Sequence, residues 1–292
     1  MPRPENTPLF EAQRPRLLRL AYRMLGSVAE AEDVVQDAWL RWSEASGIDS
    51  PPAWLTRVVT RLCLDRMKSA RARREAYFGT WLPEPLLGTE EPESIADDVT
   101  LTLMLALERL SPLERAAFLL HDVFEVSLGD VAAALGRDAA AVRQLAVRAR
   151  RHVQEAKPRY TVEDAEAERI AQAFFNAARD GDTAALQDLL AEDVVIHSDG
   201  GGRVLAFRNP IRGIARVLRL YAGLRRKFGN VATLLRPLRI DGLPGFVSID
   251  CGVLQTTALS IEDGRITAIY IVRNPDKLGH VVSALPEGAT IN

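Results

Sequence analysis

Cysteine and histidine are scarce in this chain, and it has no long apolar run. Two cysteines and four histidines in 292 residues do not form a metal-type cluster. No metal site and no cofactor are therefore expected, and Cys63 and Cys251, each within an apolar segment, are read as core thiols. No stretch approaches the roughly 18 apolar residues needed to cross a bilayer, and Met1 to Asn6 is polar and proline-rich. The chain is expected to stay in the cytoplasm without a membrane partner. A surplus of either charge is also missing, because 37 Lys and Arg face 39 Asp and Glu. That balance hides segregation. Arg57 to Arg74 carries seven basic residues against Asp65 alone, Arg137 to Arg159 carries six arginines and Lys157 against Asp138 and Glu155, and Glu84 to Asp98 between them holds six acids and no base. Two basic modules joined by an acidic tether follow from this pattern. The tether either competes with phosphate for the modules or is simply a solvated linker. The length and the 47% hydrophobic content suit two or three domains with separate cores.

Val126 to His152 reads as a helix-turn-helix. Ser127 with Asp130 caps a first helix running to Leu135, Gly136 supplies the left-handed turn residue, and Asp138 caps the second helix. Val142, Leu145, Ala146, Ala149 and Val153 share one helical face, leaving Arg143, Gln144, Val147, Arg148 and Arg151 outward. Such a face suits a DNA major groove. Arg and Gln can bond guanine and adenine edges in pairs, while Arg148, Arg150 and Arg151 can neutralise phosphates. A solvated arginine-rich helix is the plainer alternative.

Upstream, Arg16 to Leu25 and Ala29 to Trp42 form a helical hairpin, with Gly26 ending the first helix and Ser27 and Glu30 boxing the start of the second. Ala31, Val34, Val35, Ala38 and Trp42 make its apolar stripe, so Glu32, Asp33, Gln36, Asp37 and Arg41 lie nearer the outside. Pro51 and Pro52 start a third helix that is expected to bury Trp54, Leu55, Val58, Leu62 and Met67. The prolines of Trp81 to Pro85 end regular structure. Thr100 to Leu110 and Pro112 to Phe124 then read as two apolar helices beneath the helix-turn-helix, a unit that ends at Lys157 and Pro158.

After Pro158 the pattern changes to helix and strand. Helices Ala165 to Arg179 and Thr183 to Leu190 precede a strand, Val194 to Ser198, a glycine turn at Gly200 to Gly202, and a helix Ile211 to Tyr221. Three or four strands follow, among them Gly245 to Cys251, Val253 to Ser260 and Arg265 to Val272, with Asp263 and Gly264 as a hairpin turn. This is an α+β unit.

The run Ala31-Glu32-Asp33-Val34-Val35-Gln36-Asp37-Ala38-Trp39, then Trp54-Leu55, Asp65-Arg66 and the helix-turn-helix, resembles a bacterial extracytoplasmic-function sigma factor over about half the chain. Trp81-Leu82-Pro83-Glu84-Pro85, Asp199-Gly200-Gly201-Gly202 and Asn274-Pro275-Asp276-Lys277-Leu278 look like the signatures of members with a C-terminal SnoaL-like extension. The resemblance implies a multidomain fold: two all-α sigma domains, the second with the helix-turn-helix, followed by an α+β cone of the SnoaL and nuclear transport factor 2 kind. The domain bounds are 1–78, an acidic linker 79–98, 99–158 and 159–292. The implied partners are core RNA polymerase and promoter DNA at its −10 and −35 elements. Polymerase docking falls to Asp33, Gln36, Asp37 and Arg41. Arg57, Arg61, Arg66, Lys68 and Arg71 lie where the family meets promoter DNA, and Arg137, Arg143, Gln144, Arg148 and Arg151 in the −35 reader. The loop Gly47 to Pro52 lies where an unstacked base is held. Many relatives carry Asn where this chain has Arg61, which favours a phosphate contact there. Asp65 is expected to pair with a neighbouring arginine.

His197 and Asp199, two apart on or beside one strand, could serve acid-base chemistry. Asp199 before three glycines reads more simply as a turn former, and His197 as a structural residue, so no catalytic residue and no enzyme is expected. Phe174, Phe207, Tyr221, Phe246 and Tyr270 either line a pocket for a small-molecule ligand or fill the core. A large exposed aromatic in a linker is an apolar liability, so Trp81 and Pro83 are expected to dock. Asp199, Gly200, Gly201 and Gly202 with Asn274, Pro275, Asp276 and Lys277 would grip them and so regulate the spacing of the DNA-binding domains. The alternatives are a ligand-responsive helix-turn-helix regulator that ignores polymerase and a DNA-tethered enzyme.

Overall fold

A computed structural model describes residues 6–75, 77, 79–88, 101–154, 163–229 and 231–283, with the side chains of 69–75 outside the description. The acidic run from Glu90 to Asp98 and the expected boundary at Lys157 and Pro158 fall outside these residues. Two compact units emerge, one from residues 1–75 with 91–157, the other from 76–90 with 158–292.

The first unit is all helical. α1 (Asn6–Leu25) and α2 (Val28–Glu44) form the hairpin, and the Ser27 hydroxyl accepts the Glu30 amide at 3.2 Å to cap α2. α1 begins ten residues before the expected Arg16 and continues through Pro15. Buried Phe10, whose ring lies 5.0 Å from that of Trp39, ties this extra length to α2. Tertiary packing thus outweighs one lost helical hydrogen bond.

α3 (Pro51–Glu75) starts at the two prolines as expected, but it buries Leu55, Val59, Cys63 and Met67 together with Thr56 and Thr60. Trp54, Val58 and Leu62 are only half-buried. The threonines explain the rotated face. Thr60 donates its hydroxyl to the Thr56 carbonyl and Thr56 to that of Pro52, each at 2.7 Å. Once satisfied within the helix, they pack like small apolar residues.

α4 (Leu101–Glu108), α5 (Pro112–Phe118), α6 (Leu128–Leu135) and α7 (Ala139–Gln154) complete the unit. The expected continuous helix to Phe124 instead widens into a π turn at Leu119–Val123, where the Phe124 amide reaches back five residues to the Leu119 carbonyl. Arg115 is almost fully buried. It donates to the carbonyls of Leu107 and Met24 at 2.9 and 2.7 Å and to the Glu108 carboxylate at 2.7 Å. One side chain therefore joins α4, α5 and the end of α1.

The second unit is a curved sheet with helices over one face. α8 (Asp164–Asp180) and α9 (Thr183–Leu189) lead into β1 (Leu190–Asp199). Next come β2 (Ile211–Arg212), α10 (Ile214–Phe228), β3 (Thr233–Ile240), β4 (Leu243–Asp250), β5 (Val253–Glu262), β6 (Arg265–Val272) and α11 (Gly279–Ser283). The strand order is β2-β1-β6-β5-β4-β3, with only the β1 and β6 pair parallel. The last four strands are joined by two-residue turns, Asp241-Gly242, Cys251-Gly252 and Asp263-Gly264, in which both residues have positive φ. This twist matches that of the flanking strands. Cys63 is buried as expected, whereas Cys251 is exposed. The β4–β5 turn it occupies leaves the sheet's end for solvent, so the apolar neighbourhood in sequence did not bury it. Phe174, Phe246, Ile196, Leu259 and Ile269 lie in the core between helices and sheet.

Candidate nucleic-acid interface

In the helix-turn-helix, the Ser127 hydroxyl accepts the Asp130 amide at 3.2 Å, Gly136 is left-handed with φ 62°, and the Asp138 carboxylate accepts the Ala141 amide at 2.8 Å. The five expected apolar residues of α7 are all buried, and Arg143, Gln144, Val147, Arg148 and Arg151 are all exposed. These outward residues differ in freedom. Arg148 donates to the Glu114 carboxylate at 2.9 Å and Arg150 to that of Asp122, pinning α7 to α5 and the π turn. Burial acts to raise the Glu114 pKa, but hydrogen bonds from Ser111 and the charge of Arg148 outweigh it and hold the carboxyl below its ordinary value. Arg143, Gln144 and Arg151 have no side-chain partner among the described residues, and Arg137 is exposed at the turn. Val147, 56% exposed, adds an apolar contact of the kind that meets a thymine methyl. Its outward position was legible, but no role was attached to it.

On the α2–α3 side, Arg66 donates to the carboxylates of Asp33 and Asp37 at 3.3 and 3.1 Å and to the Glu30 carbonyl at 3.3 Å. The guanidinium expected on DNA is thus engaged with two acids expected on polymerase, and acts as a strut between helices. Gln36 and Arg41 are exposed, as is Leu40 at 56%. Leu40 interrupts the polar face and was not singled out in the sequence. Arg57 and Arg61 point outward. Lys68 pairs with Asp65 at 2.8 Å, so the partner of Asp65 is a lysine and not an arginine. Both side chains are largely exposed, and such a pair contributes little stability. The side chain of Arg71 lies outside the described residues. The loop Gly47 to Pro52 borders a hollow of about 350 Å³ that runs past Thr56 and Arg57 to Val126, Asp130 and Ala134.

In the second unit, residues 77–88 lie along the sheet. Asp199 is fully buried. Its carboxylate accepts the Tyr77 hydroxyl at 2.6 Å, the Leu82 amide at 2.8 Å, the Lys277 ammonium at 2.8 Å and the Gly201 amide at 3.0 Å. Lys277 also donates to the Leu82 carbonyl and sits 4.3 Å from the centre of the Trp81 ring. Asn274 donates to the Tyr77 hydroxyl at 3.0 Å, and a side chain at Gly201 would collide with Asn274. Pro275 and Asp276 form the one-turn helix that presents Lys277, and Arg203 reaches the Asp276 carboxylate. Gly200 has no room for a side chain against Val204 and Ala206, and Gly202, like Gly201, has positive φ. Farther along, His280 meets the Pro85 carbonyl at 2.6 Å, and the Leu86 amide donates to Asp241. Leu87 bridges to Ile240. The stretch 79–88, expected as the start of a tether, is held on this unit. Tyr77, Asp241 and His280 were missed in the sequence; Tyr77, an aromatic four residues before Trp81, was the available signal. Burial first, then hydrogen bonding to Asp199, pushes the Tyr77 hydroxyl well above its ordinary pKa, so it remains a donor.

His197 and Asp199 do share a strand face, but Ser198 between them lines the cavity, so the pair faces away from it. His197 stacks on Tyr270 at 5.3 Å, and burial and then Arg212 lower its pKa. Phe174, Phe207, Tyr221 and Phe246 line the cavity; Tyr270, on the outer face, does not. No group of His, Cys, Asp or Glu among the described residues is arranged to hold a metal, and no described helix is long and apolar enough to cross a membrane.

Residues 9–73 match the family model of sigma-70 region 2, and residues 100–153 that of sigma-70 region 4. The ECF RNA polymerase sigma factor SigJ of Mycobacterium tuberculosis is 39% identical over 286 residues, 92% of this chain and 91% of that protein. The chain belongs to the extracytoplasmic-function sigma factors. A probable member, SigI of the same organism, is 33% identical over 288 residues, covering 96% and 97% of the two chains. The crystal structure of M. tuberculosis SigJ aligns with a TM-score of 0.76 at 36% identity, over 93% of this chain and 98% of that one. The sigma-factor relationship therefore extends through the helix-plus-sheet unit. As an alternative sigma factor, the protein works in promoter-directed transcription with RNA polymerase and DNA.

Proposed function

We propose that this sigma factor docks on core polymerase through the outer face of α2, and that α3 and α7 meet the −10 and −35 elements. We also propose that the helix-plus-sheet domain regulates both in cis by gripping the linker. The free outward side chains of α7 carry this reading. Arg143 and Gln144 have the donor and acceptor geometry for base edges, whereas Arg148 and Arg150 already have carboxylate partners and must exchange them to touch phosphate. Arg57 and Arg61 supply phosphate contacts on α3, with Arg66 positioning α2 against it. On the polymerase face, Gln36, Leu40 and Arg41 join Asp33 and Asp37 in a patch with an apolar centre and a polar rim. The protein acts in the cytoplasm as an initiation factor, and His197 and Asp199 serve structure rather than catalysis.

Replacing Gln36 by Ala and Asp37 by Arg should weaken core binding, because a reversed charge on an exposed face opposes the same partner without unfolding α2. Competition with another sigma factor for core polymerase measures this, and unchanged affinity would remove α2 as the docking face. On DNA, Arg143→Ala and Gln144→Ala should relax preference at the −35 element, at about 1–3 kcal/mol for each paired base contact. Arg151→Ala should instead weaken all promoters alike and flatten the salt dependence by about one charge's worth. Equal loss of base discrimination in all three variants would contradict the assignment.

A further inference from the structure

We propose that the cavity of the second unit binds a neutral molecule of one or two rings carrying a hydroxyl or carbonyl group, and that the clasped segment 77–88 senses its occupancy. This rests, for its biological meaning, on the reading of the domain as a cis regulator. The cavity has a volume of about 260 Å³, just below the range of about 300–1,000 Å³ typical of drug-sized sites, which limits the occupant to a small ring system. Its walls are rings: Phe174 meets Tyr221 edge-on at 5.8 Å and Phe246 at 6.4 Å. The sheet side is different. There Ser198, Ser248 and Thr257, each at most 3% exposed, line the cavity on strands whose deeper inward positions are Ile196, Leu259 and Ile269. The hydroxyls of Ser198 and Thr257 have no partner among the described residues. Buried hydroxyls facing a cavity favour an occupant with one polar group to bond them.

Charge selects a neutral occupant. Asp250 lines the same space, and burial and then the Asp250 charge push the Tyr221 hydroxyl far above its ordinary pKa, leaving it a neutral donor. The Arg273 guanidinium is spent on the rim, donating to the carbonyls of Leu205 and Asp250 at 3.2 and 3.1 Å, and lies 3.9 Å from the Asp250 carboxylate. Arg179 is paired with Asp180. A carboxylate brought inside would meet Asp250 without an uncommitted cation to offset the repulsion and its own desolvation.

The link to segment 77–88 follows from strand alternation. Ser198 pairs with Ile271 and both face the cavity, while the next pair, Asp199 and Val272, faces the other side. There Asp199 holds Tyr77 and Leu82. Its carbonyl also accepts the amides of Arg273 and Asn274 at 2.7 and 3.0 Å. A ligand that displaces Ser198 or Arg273 therefore acts on backbone that carries the clasp.

The full chain should be titrated with 2-naphthol and with 2-naphthoate, which share a ring frame but differ in charge at neutral pH. Saturable binding of 2-naphthol, at least tenfold weaker binding of 2-naphthoate, and loss of binding in Leu224→Trp, which fills the cavity, are expected. Thr257→Val keeps the volume and should weaken 2-naphthol several-fold, which covers a folding failure of the tryptophan variant. Cys251 lines the cavity and is exposed while Cys63 is buried, so 2-naphthol should slow alkylation of the one accessible thiol. Hydrogen exchange of the Leu82 amide should change at least twofold on binding. No saturable 2-naphthol binding, equal affinity for 2-naphthoate, or binding unaffected by both substitutions overturns the site. Binding with unchanged Leu82 exchange overturns the coupling. None of these readouts involves polymerase or promoter DNA, so their failure is distinct from failure of the regulatory reading.

Discussion

Asp199→Ala should destabilise the second unit by about 3–5 kcal/mol, the usual consequence of removing one member of a buried ion pair. The loss should be concentrated at the clasp. Lys277, with a side chain only 10% exposed, would keep its charge and lose its counter-ion, while the Leu82 amide and the Tyr77 hydroxyl would lose their acceptor. Urea unfolding should register the cost, and exchange of the Leu82 amide should rise toward the rate of an open chain. Asp199→Asn should do less damage, since it keeps an acceptor but not the charge. Equal stability of the alanine variant and the parent would mean that Asp199 only shapes the glycine turn.

Arg115→Met should cost the first unit a comparable amount, about 3–5 kcal/mol, for a related reason. Methionine replaces much of the volume, so the loss comes from polar groups and not from a cavity. Glu108, with a side chain 17% exposed, would lose its guanidinium, and the carbonyls of Leu107 and Met24 would lose a shared donor. Because the Met24 contact joins α1 to α5, the sigma-region helices on the two sides should unfold less cooperatively. Thermal unfolding of the full chain checks this. An unchanged first transition would show that Arg115 is incidental to the packing.

The outward face of α7 was legible because everything that fixes it is local. The caps at Ser127 and Asp138, the left-handed Gly136 and the apolar period all lie within one short stretch. The face of α3 was misread because Thr56 and Thr60 look polar in sequence but satisfy their hydroxyls within the helix. The Asp263-Gly264 turn was read correctly. The same chemistry at Asp241-Gly242 would have located β3, which had no firm place in the sequence reading. Trp81 betrayed its docking by being a poor linker residue. Its main partners, by contrast, lie between 118 and 196 positions away, as Asp199 and Lys277 do. That Asp199 joins Tyr77, Leu82 and Lys277 at one carboxylate could not be read from spacing. Nor could the capture of Asp33 and Asp37 by Arg66, which depends on how α2 crosses α3.

Spin labels on α2 and α7, measured as a distance distribution alongside transcription by purified core polymerase, test the cis-regulatory account most directly. Trp81→Ala removes the ring beneath Lys277, and a chain ending at Arg273 removes Asn274 to Lys277 altogether. Both variants should broaden the distance distribution between the two sigma regions and alter promoter-directed transcription in the same direction. Unchanged distributions in both would contradict the claim that the helix-plus-sheet domain controls the sigma regions through the linker.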